Sequence, residues 1–438
     1  MDIGTLSLLI VLAMIGLLMI GVPLAFVSGA IAVVLAVTHF GTGGLFILGS
    51  RTAEFLGSFA LVAVPMFVLM ASIMERSGVA RDLYRAFHVW AGELKGGVAV
   101  ITIGVAVILG ATTGIIGGEI VLLGLVALPQ MLKLGYDKRL AIGTITAGGS
   151  LGTMIPPSII LIFYGITAQV SISHLFLATV LPGLMLASFY VVYILVRCRL
   201  NPALGPPVDA VDRDMPLVEK LALLKGVALP LLVAGSVLIS IYAGFASITE
   251  SAAVGVVGTI LAAWVRRELS FRMIREALIQ SLKTCGMVFW LVFGTNALIG
   301  VYNLLGGIAF AKAALAGVST EPTVIIATMI LVFIALGFFL DWIGILFLTM
   351  PIFLPTLQAL GYDPIWFGIL FNLSMQIAYL TPPFGPACFY LKGVAPPEVT
   401  LQDIFAAQWP FIGLQVLALV LVAVFPQIAL WLPALAYG

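Results

Sequence analysis

The sequence predicts an all-α polytopic membrane protein built as an inverted repeat, with two re-entrant hairpins and two broken helices. Of its 438 residues, 62% are apolar and only 9% are charged, and the mean hydropathy is +1.22. A soluble chain of this length needs far more charge to cover its surface, whereas apolar runs near spanning length recur here from end to end. The other two observations are an internal duplication and an uneven distribution of basic residues.

The chain repeats itself at one fixed shift, which places Asp137 on Asp363 and equals about half the chain (363 − 137 = 226). The matching pairs are Gly29 with Gly255, Leu128-Pro129 with Leu354-Pro355, Gly135-Tyr136-Asp137 with Gly361-Tyr362-Asp363, Pro156-Pro157 with Pro382-Pro383, and Phe163-Tyr164 with Phe389-Tyr390. The register holds over most of each half, which indicates a long duplication with few insertions in its core. We therefore expect residues 1–199 and 226–438 to form the two repeats. Residues 200–225, a polar stretch with four prolines, are predicted to be a cytoplasmic linker.

The basic residues predict the orientation of the chain by the positive-inside rule. They cluster in residues 76–95, 133–139, 197–225 and 266–283, with Lys392 alone. If these segments are cytoplasmic, 18 of the 20 Lys and Arg residues are inside, and both termini are periplasmic. Lys138-Arg139 follows the first Gly-Tyr-Asp motif, but no basic residue lies near its copy. Equal sequences therefore face opposite sides of the membrane, which makes the repeats inverted.

Residues 5–39 leave two arrangements open. They can cross the membrane twice around a tight turn at Gly21-Val22-Pro23, with roughly 17 residues for each pass, which is the lower limit for a spanning helix. A single kinked helix is the alternative.

Two pairs of apolar arms predict the re-entrant hairpins, at about residues 96–134 and 321–360. The first pair is separated by residues 110–118 and the second by residues 337–341. The arms of the first pair, roughly 15 residues each, are too short to span the membrane and return. Each hairpin tip is therefore expected to stop inside the membrane.

A broken helix is predicted after each hairpin, at about residues 139–168 and 364–394, with its break at residues 148–157 in the first and 372–383 in the second. Pro156-Pro157 and Pro382-Pro383 remove backbone donors and oppose helix at the preceding residue. Freed carbonyls and half-helix C-termini suit a small hard cation such as Na⁺, and half-helix N-termini suit an anionic substrate. Asp341 is the acid expected to be buried, as a functional carboxylate or as a structural acid at the tip. Glu119 can instead cap the outgoing arm of the first hairpin.

Several enzyme classes lack support in the sequence. Residues 148–152 fit the pattern G-x-S-x-G, but a nucleophile elbow needs a strand-to-helix turn, which a broken membrane helix does not supply. No Walker A motif is present, and Cys198, Cys285 and Cys388 are single residues that indicate neither a disulfide framework nor a metal site. We therefore predict a transport protein and not an enzyme.

The chain resembles the large membrane subunit (M, or DctM-like) of tripartite ATP-independent periplasmic (TRAP) transporters over nearly its whole length. The motifs that carry the resemblance are Leu134-Gly135-Tyr136-Asp137, Ile155-Pro156-Pro157-Ser158, Tyr164-Gly165, Leu175-Phe176, Leu181-Pro182-Gly183, Gly337 with Asp341, and Thr381-Pro382-Pro383. The resemblance implies an elevator-type secondary transporter of the bacterial inner membrane, driven by Na⁺. It also implies a small membrane subunit (DctQ-like) and a periplasmic binding protein (DctP-like) that delivers a small organic acid; nucleic acid is not an expected partner.

The hairpin tips resemble one branch of that family. Gly110-Ala111-Thr112-Thr113-Gly114 and Asp341-Trp342-Ile343-Gly344 look like the branch labelled mannitol/chloroaromatic compound transport. Carried over from the family, the first Na⁺ site would combine Thr112, Thr113, Gly114, Gly149, Ser150 and Ile155. The second would combine Gly337, Asp341, Asn372, Gln376 and Thr381. Candidate substrate contacts are Thr153, Pro156, Ser158 and Pro382.

Other functions stay open at this stage. A stand-alone Na⁺/dicarboxylate or citrate carrier of related architecture would need no partner proteins. A channel and an intramembrane hydrolase are the candidates from other classes. Neither the substrate nor the choice between Na⁺ and H⁺ follows from the sequence.

Overall fold

The computed structural model describes residues 2–90, 94–114, 117–207, 216–223, 225–383 and 385–437. Within these ranges, the regular structure is α-helical apart from three short 3₁₀ turns. Seven helical segments in this part of the chain are long and apolar enough to cross a membrane, judged by length and composition. The predicted all-α polytopic fold is confirmed.

The helices of the first half run in chain order to residue 200. They are α1 (Ile3–Met19), α2 (Leu24–Phe40), α3 (Gly44–Leu56), α4 (Ala63–Arg76), α5 (Val79–His88), α6 (Gly97–Thr113), α7 (Gly118–Lys133), α8 (Lys138–Ser150), α9 (Ile159–Ala168) and α10 (Ile172–Leu200).

The second half begins with a short helix and then repeats this order. Its helices are α11 (Leu217–Leu223), α12 (Lys225–Tyr242), α13 (Ile248–Val265), α14 (Phe271–Leu304), α15 (Gly307–Ala316), α16 (Pro322–Leu336), α17 (Trp342–Ala359), α18 (Pro364–Leu380), α19 (Pro386–Lys392), α20 (Leu401–Val424) and α21 (Gln427–Tyr437).

Most helices of the first half have a counterpart in the second half at the shift seen in the sequence. Helix α8 begins at residue 138 and α18 at residue 364, and α6 begins at 97 against 322 for α16. The main difference is α14, one helix of 34 residues, which covers the positions of both α3 and α4. Gly57 and Ser58 interrupt the first copy, whereas Lys283 and Thr284 occupy the same positions in the second. Because glycine is a poor helix former, the break occurs only in the first copy.

Residues 3–40 form two helices rather than one kinked helix. Each has 17 residues, which corresponds to about 25 Å of helix. Between them, Gly21 has φ 88°, and the amide of Val22 donates to the Leu17 carbonyl at 3.1 Å. Pro23 then precedes α2 as its N-cap.

The two arms of the first hairpin are short helices. The arms α6 and α7 have 17 and 16 residues, so each is about 25 Å long, less than the roughly 30 Å of the hydrocarbon core. Helix α6 ends at Gly114, which has φ 63°. Ile115 and Ile116, part of the predicted first break, lie outside the described residues. The arms α16 and α17 are separated by residues 337–341.

The two broken helices differ in where they unwind. After α8 comes a 3₁₀ turn, Leu151–Thr153, and α9 starts at Ile159. In the second copy, α18 continues to Leu380 and α19 starts at Pro386. Asn372 and Gln376 are therefore helical residues of α18 and not part of an unwound segment. The Pro156-Pro157 and Pro382-Pro383 peptide bonds are both cis.

The first residues of the predicted linker pack against the base of the first hairpin. The Gly96 amide donates to the Gly205 carbonyl at 2.9 Å, and the Asp137 amide donates to the Leu204 carbonyl at 2.9 Å. Residues 208–215 of the linker lie outside the described residues. Helix α11 lies in the remaining part of the linker.

The helices pack in two groups. Helix α14 contacts α2, α3 and α4, and α13 contacts α4 and α12, which joins scaffold helices of both repeats. The hairpins and broken helices pack together with α10 and α20, and they touch the first group where α6 contacts α4 and α17 contacts α14. An ion pair joins the end of α13 to α5: Arg266 lies 2.8 Å from Asp82 and donates to the Ser77 carbonyl at 2.9 Å.

Candidate functional site

The tip of the first hairpin packs against the first helix break through glycines. A methyl group at Gly110 would lie 2.7 Å from the Cα of Gly152, and one at Gly149 would lie 3.2 Å from the amide nitrogen of Ile120. Both distances are shorter than ordinary van der Waals contact. The backbone of α6 therefore approaches the 3₁₀ turn at residues 151–153, and that of α7 approaches α8, as closely as glycine allows.

The residues predicted for the first ion site lie at or beside this contact, and each is buried. They are Thr112, Thr113, Gly114, Gly149, Ser150 and Ile155. The Thr112 hydroxyl donates to the Leu109 carbonyl at 2.7 Å, and the Ser150 hydroxyl donates to the Ala147 carbonyl at 2.9 Å. These bonds use the hydroxyl proton but leave oxygen lone pairs that can bind a cation. The Gly114 carbonyl accepts from the amide of Ile159 at 3.3 Å, which joins the hairpin tip to the start of α9.

Glu119 also lies at this contact, although the sequence predicts for it only the role of a helix cap. It lies in the first turn of α7, and its side chain is 1% exposed. The Thr113 hydroxyl donates to its Oε1, and its Oε2 has no hydrogen-bond partner among the described residues. A methyl group at Gly152 would lie 2.7 Å from its carboxyl carbon. The sequence signal was its position as the only charged residue between Gly97 and Leu132.

The residues predicted for the second ion site are divided between two places. Asp341 is the N-cap residue of α17 and is half-buried. Gly337 packs against Ala378 of α18. The Thr381 hydroxyl donates to the Ile377 carbonyl at 2.6 Å, at the end of α18.

Asn372 and Gln376 contact the first repeat instead. The Asn372 amide donates to the Thr153 carbonyl at 2.9 Å, and the Gln376 amide donates to the Thr153 hydroxyl. All three side chains are buried. These bonds join the two broken helices near the middle of the fold.

Several buried oxygens of the two broken helices lack a hydrogen-bond partner within the described ranges. Among the described residues, the Asn372 Oδ1, Gln376 Oε1 and Ser158 Oγ atoms have no hydrogen-bond partner. Na⁺ is a hard cation bound by carbonyl, hydroxyl and carboxylate oxygens, so this donor set fits it. Leaving such groups unpaired costs about 1–3 kcal/mol each.

The predicted substrate contacts also lie at the breaks. Thr153, Pro156 and Ser158 are buried in the first break, and Pro382 is half-buried in the second. Ser158 is the N-cap residue of α9, but its side chain makes no capping hydrogen bond. Its hydroxyl therefore stays available at a helix N-terminus.

A central cavity of 1020 Å³ connects these elements. Its wall includes Gly114 from the first tip, Thr153 from the first break, Asp341 from the second tip and Pro383 from the second break. Asp341 is the only charged residue in the described lining, and Trp290, Trp342, Tyr379 and Tyr390 supply aromatic surface.

A second cavity of 820 Å³ adjoins the first. It lies between α4, α7 and α14, and its charged wall residues within the described ranges are Glu75, Arg76 and Lys283. Tyr390 and Thr284 line both cavities, so they stand where the two spaces meet.

Tyr390 was missed as a site residue, although the sequence shows it as a repeat marker. Its counterpart Tyr164 is fully buried and donates to the Pro364 carbonyl at 2.6 Å. Tyr390 is instead 43% exposed, and its ring lies against Gly117 at the first tip. The repeat signal could not reveal this difference, because it depends on which helices pack around each copy.

An inverted repeat whose hairpin tips and helix breaks share one cavity defines a helical secondary transporter. Residues 11–428 match the family described as "Tripartite ATP-independent periplasmic transporter, DctM component". The chain belongs to this family.

Curated relatives cover nearly the whole chain. The ectoine TRAP transporter large permease protein TeaC of Halomonas elongata is 32% identical over 98% of this chain and 99% of its own length. The C4-dicarboxylate TRAP transporter large permease protein DctM of Vibrio cholerae is 27% identical over 98% of both chains. The isethionate TRAP transporter permease protein DctMQ of Oleidesulfovibrio alaskensis is 26% identical over 94% of this chain and 64% of its own length.

A solved structure shares the fold. The YdaH transporter of Alcanivorax borkumensis superposes with a TM-score of 0.67 at 14% identity, over 93% of this chain and 98% of that chain. This likeness supports the elevator-type fold.

The chain is thus the large permease subunit of a secondary transporter that depends on a substrate-binding protein. Such subunits work with a small DctQ-type membrane subunit and a periplasmic DctP-type binding protein, which confirms the predicted protein partners. The alternative of a stand-alone carrier that needs no partner proteins is therefore not supported. The mannitol/chloroaromatic branch remains a prediction.

Proposed function

We propose that this subunit imports a small organic acid into the cytoplasm by Na⁺ symport across the bacterial inner membrane. The observation that carries the proposal is the central cavity, whose wall combines both hairpin tips and both helix breaks. A ligand there can contact both hairpin tips and both helix breaks at once. Irregular backbone at membrane depth is tolerated where it lines such a cavity.

Na⁺ would be held by the oxygens beside that cavity. The first site combines Thr112, Thr113, Gly114, Gly149, Ser150 and Ile155, and the second combines Gly337, Asp341, Asn372, Gln376 and Thr381. The unpartnered amide oxygens of Asn372 and Gln376 support this assignment. Their amide nitrogens bind Thr153, which links the second site to the first helix break. The bound ion would supply positive charge beside the substrate.

An anionic substrate fits the start of α9. Helix N-termini attract carboxylates, since their backbone N–H groups lack helical partners. The buried Ser158 hydroxyl lies at this N-terminus, with Thr153 and Pro156 beside it and Pro382 on the opposite break. The names of the relatives point to different substrates, ectoine and C4-dicarboxylates, so we propose the class of organic acid and no single compound.

The proposed topology has residues 1–199 and 226–438 as repeats, residues 200–225 as a cytoplasmic linker and both termini in the periplasm. Arg76 and Lys283 of the second cavity then lie on the cytoplasmic side, which makes that cavity the exit route. The hairpins and broken helices would move as a unit against α2–α5 and α12–α15. Two Na⁺ with a singly charged acid move one net positive charge. Moving one net positive charge inwards supplies about 2.3 kcal/mol per 100 mV of membrane potential. At 100 mV this corresponds to roughly fortyfold accumulation of the acid.

Reconstitution tests the proposal. The chain, the small subunit and the binding protein are purified into liposomes, and uptake of candidate acids is measured with an inward Na⁺ gradient. We expect uptake only with all three proteins and with Na⁺, and little when K⁺ replaces Na⁺. Uptake driven equally by a proton gradient without Na⁺ would contradict the proposed coupling ion.

A further inference from the structure

Each re-entrant hairpin carries one carboxylate close to its tip. Glu119 is the only charged residue between Gly97 and Leu132, and Asp341 is the only one between Pro322 and Ala359. The two acids are not repeat copies of one another, because the shift that relates the repeats places Glu119 on Ile345 (345 − 119 = 226). Duplication therefore does not explain Glu119.

The surroundings of Glu119 leave one carboxylate oxygen free at a junction of two elements. Its side chain is 1% exposed, and Oε1 accepts from the Thr113 hydroxyl. Oε2 has no hydrogen-bond partner among the described residues. The carboxyl group lies directly against Gly152, in the 3₁₀ turn where the first broken helix unwinds.

An ionised carboxylate in this position needs a positive charge beside it. Burying an ionised acid at membrane depth is costly unless a cation pairs with it. The ion pairs found in the described part of the chain do not include Glu119. A second acid lies against the neighbouring residue: a methyl group at Gly118 would lie 2.6 Å from the carboxyl carbon of Glu75.

We propose that Glu119 is a direct ligand of the coupling Na⁺ at the first site. This assignment rests on the proposed function and adds a residue to it. Oε2 binds the ion between the hairpin and the 3₁₀ turn, beside the hydroxyl of Thr113. One carboxylate for one Na⁺ makes the loaded site neutral, as Asp341 does in the second hairpin. The hairpin can then pack on the broken helix without burying a net charge.

The test measures Na⁺ activation of uptake by the reconstituted three-protein system. Glu119→Gln keeps the volume and hydrogen bonding of a neutral acid but removes the charge. We expect the half-activating Na⁺ concentration to rise at least tenfold and the Hill coefficient to fall towards one, with the substrate KM at saturating Na⁺ unchanged. Glu119→Asp should fall between the wild type and Glu119→Gln.

Glu276→Gln is the matched control, because Glu276 is an exposed scaffold acid that pairs with Arg272 at 2.8 Å. Its half-activating Na⁺ concentration should stay within twofold of the wild type. A Glu119→Gln protein that also stays within twofold would overturn the assignment and identify Glu119 as a neutral structural acid.

A second measurement does not require transport activity and therefore also applies to a variant that has lost uptake. Na⁺ should protect the purified wild-type complex against thermal unfolding, and the Na⁺ concentration for half-maximal protection should rise at least tenfold in Glu119→Gln and less in Glu119→Asp. Equal protection in wild type and Glu119→Gln would overturn the assignment alone. Uptake by the wild type that ignores Na⁺ would overturn the proposed coupling, and this assignment with it.

Discussion

Replacing Gly110 with alanine should push the first hairpin away from the first helix break. The added methyl group would lie 2.7 Å from the Cα of Gly152 and 3.3 Å from its nitrogen. Ordinary contact begins at 3.4 Å, so the two backbones must separate by about 0.7 Å (3.4 − 2.7). No side-chain rotation can relieve the overlap, because the atoms on both sides are fixed by their backbones.

The size of the effect follows from the cost of overpacking. Extra methyl groups in a well-packed core cost about 1–3 kcal/mol, and each 1.4 kcal/mol is a factor of ten. The packed arrangement of hairpin and break should therefore become about 5- to 140-fold less favourable. Since Thr113 and Glu119 reach the first site from this hairpin, the affinity for Na⁺ should fall by a similar factor.

Gly104 provides the matched control on the same helix. It is exposed, and a methyl group there would meet no atom within 4 Å. In reconstituted transport assays, Gly104→Ala should match the wild type within twofold in half-activating Na⁺ concentration, whereas Gly110→Ala should not. If the two variants behave alike at equal membrane levels, the close approach of the hairpin to the break does not control ion binding.

Three further predictions concern the second site, the junction of the broken helices and the orientation of the repeats. Asp341→Asn should weaken or abolish the Na⁺ dependence of uptake at normal expression; unchanged activation would make Asp341 a structural acid. Thr153→Val removes the hydroxyl that accepts from the buried Gln376 amide, and it should destabilise the protein by about 1–3 kcal/mol. Thr153→Ser keeps this hydroxyl and should not destabilise the protein. Thermal unfolding compares the two variants, and equal melting temperatures would disprove the hydrogen bond. Cysteines placed beside Asp137 and Asp363 in a cysteine-free background should label from opposite sides of the membrane, and labelling from one side would disprove the inverted topology.

Much of the fold was predictable because its signals are local or periodic. Apolar run length predicts membrane helices, and matching motifs at one fixed shift predict a duplicated architecture. The prolines of the two breaks act on their own backbone, so α8 and α18 both end close to the predicted places. The division of α3 from α4 was not predicted, although Gly57 and Ser58 stand where the second copy has Lys283 and Thr284.

The sequence by itself thus determined the helical class, the repeat, the hairpins and the breaks, since each depends on residues that are neighbours in the chain or copies at one shift. Only the tertiary structure decided which side chains meet. Gln376 bonds to Thr153 across 223 positions of sequence, and the carboxylate of Glu119 lies against Gly152 of a different helix. Glu119 had an ordinary local explanation as a helix cap, and only the packing of α7 on the broken helix removes its solvent and leaves one oxygen unpaired. Contacts of this kind depend on how rigid helices pack in three dimensions, which no local pattern in the sequence encodes.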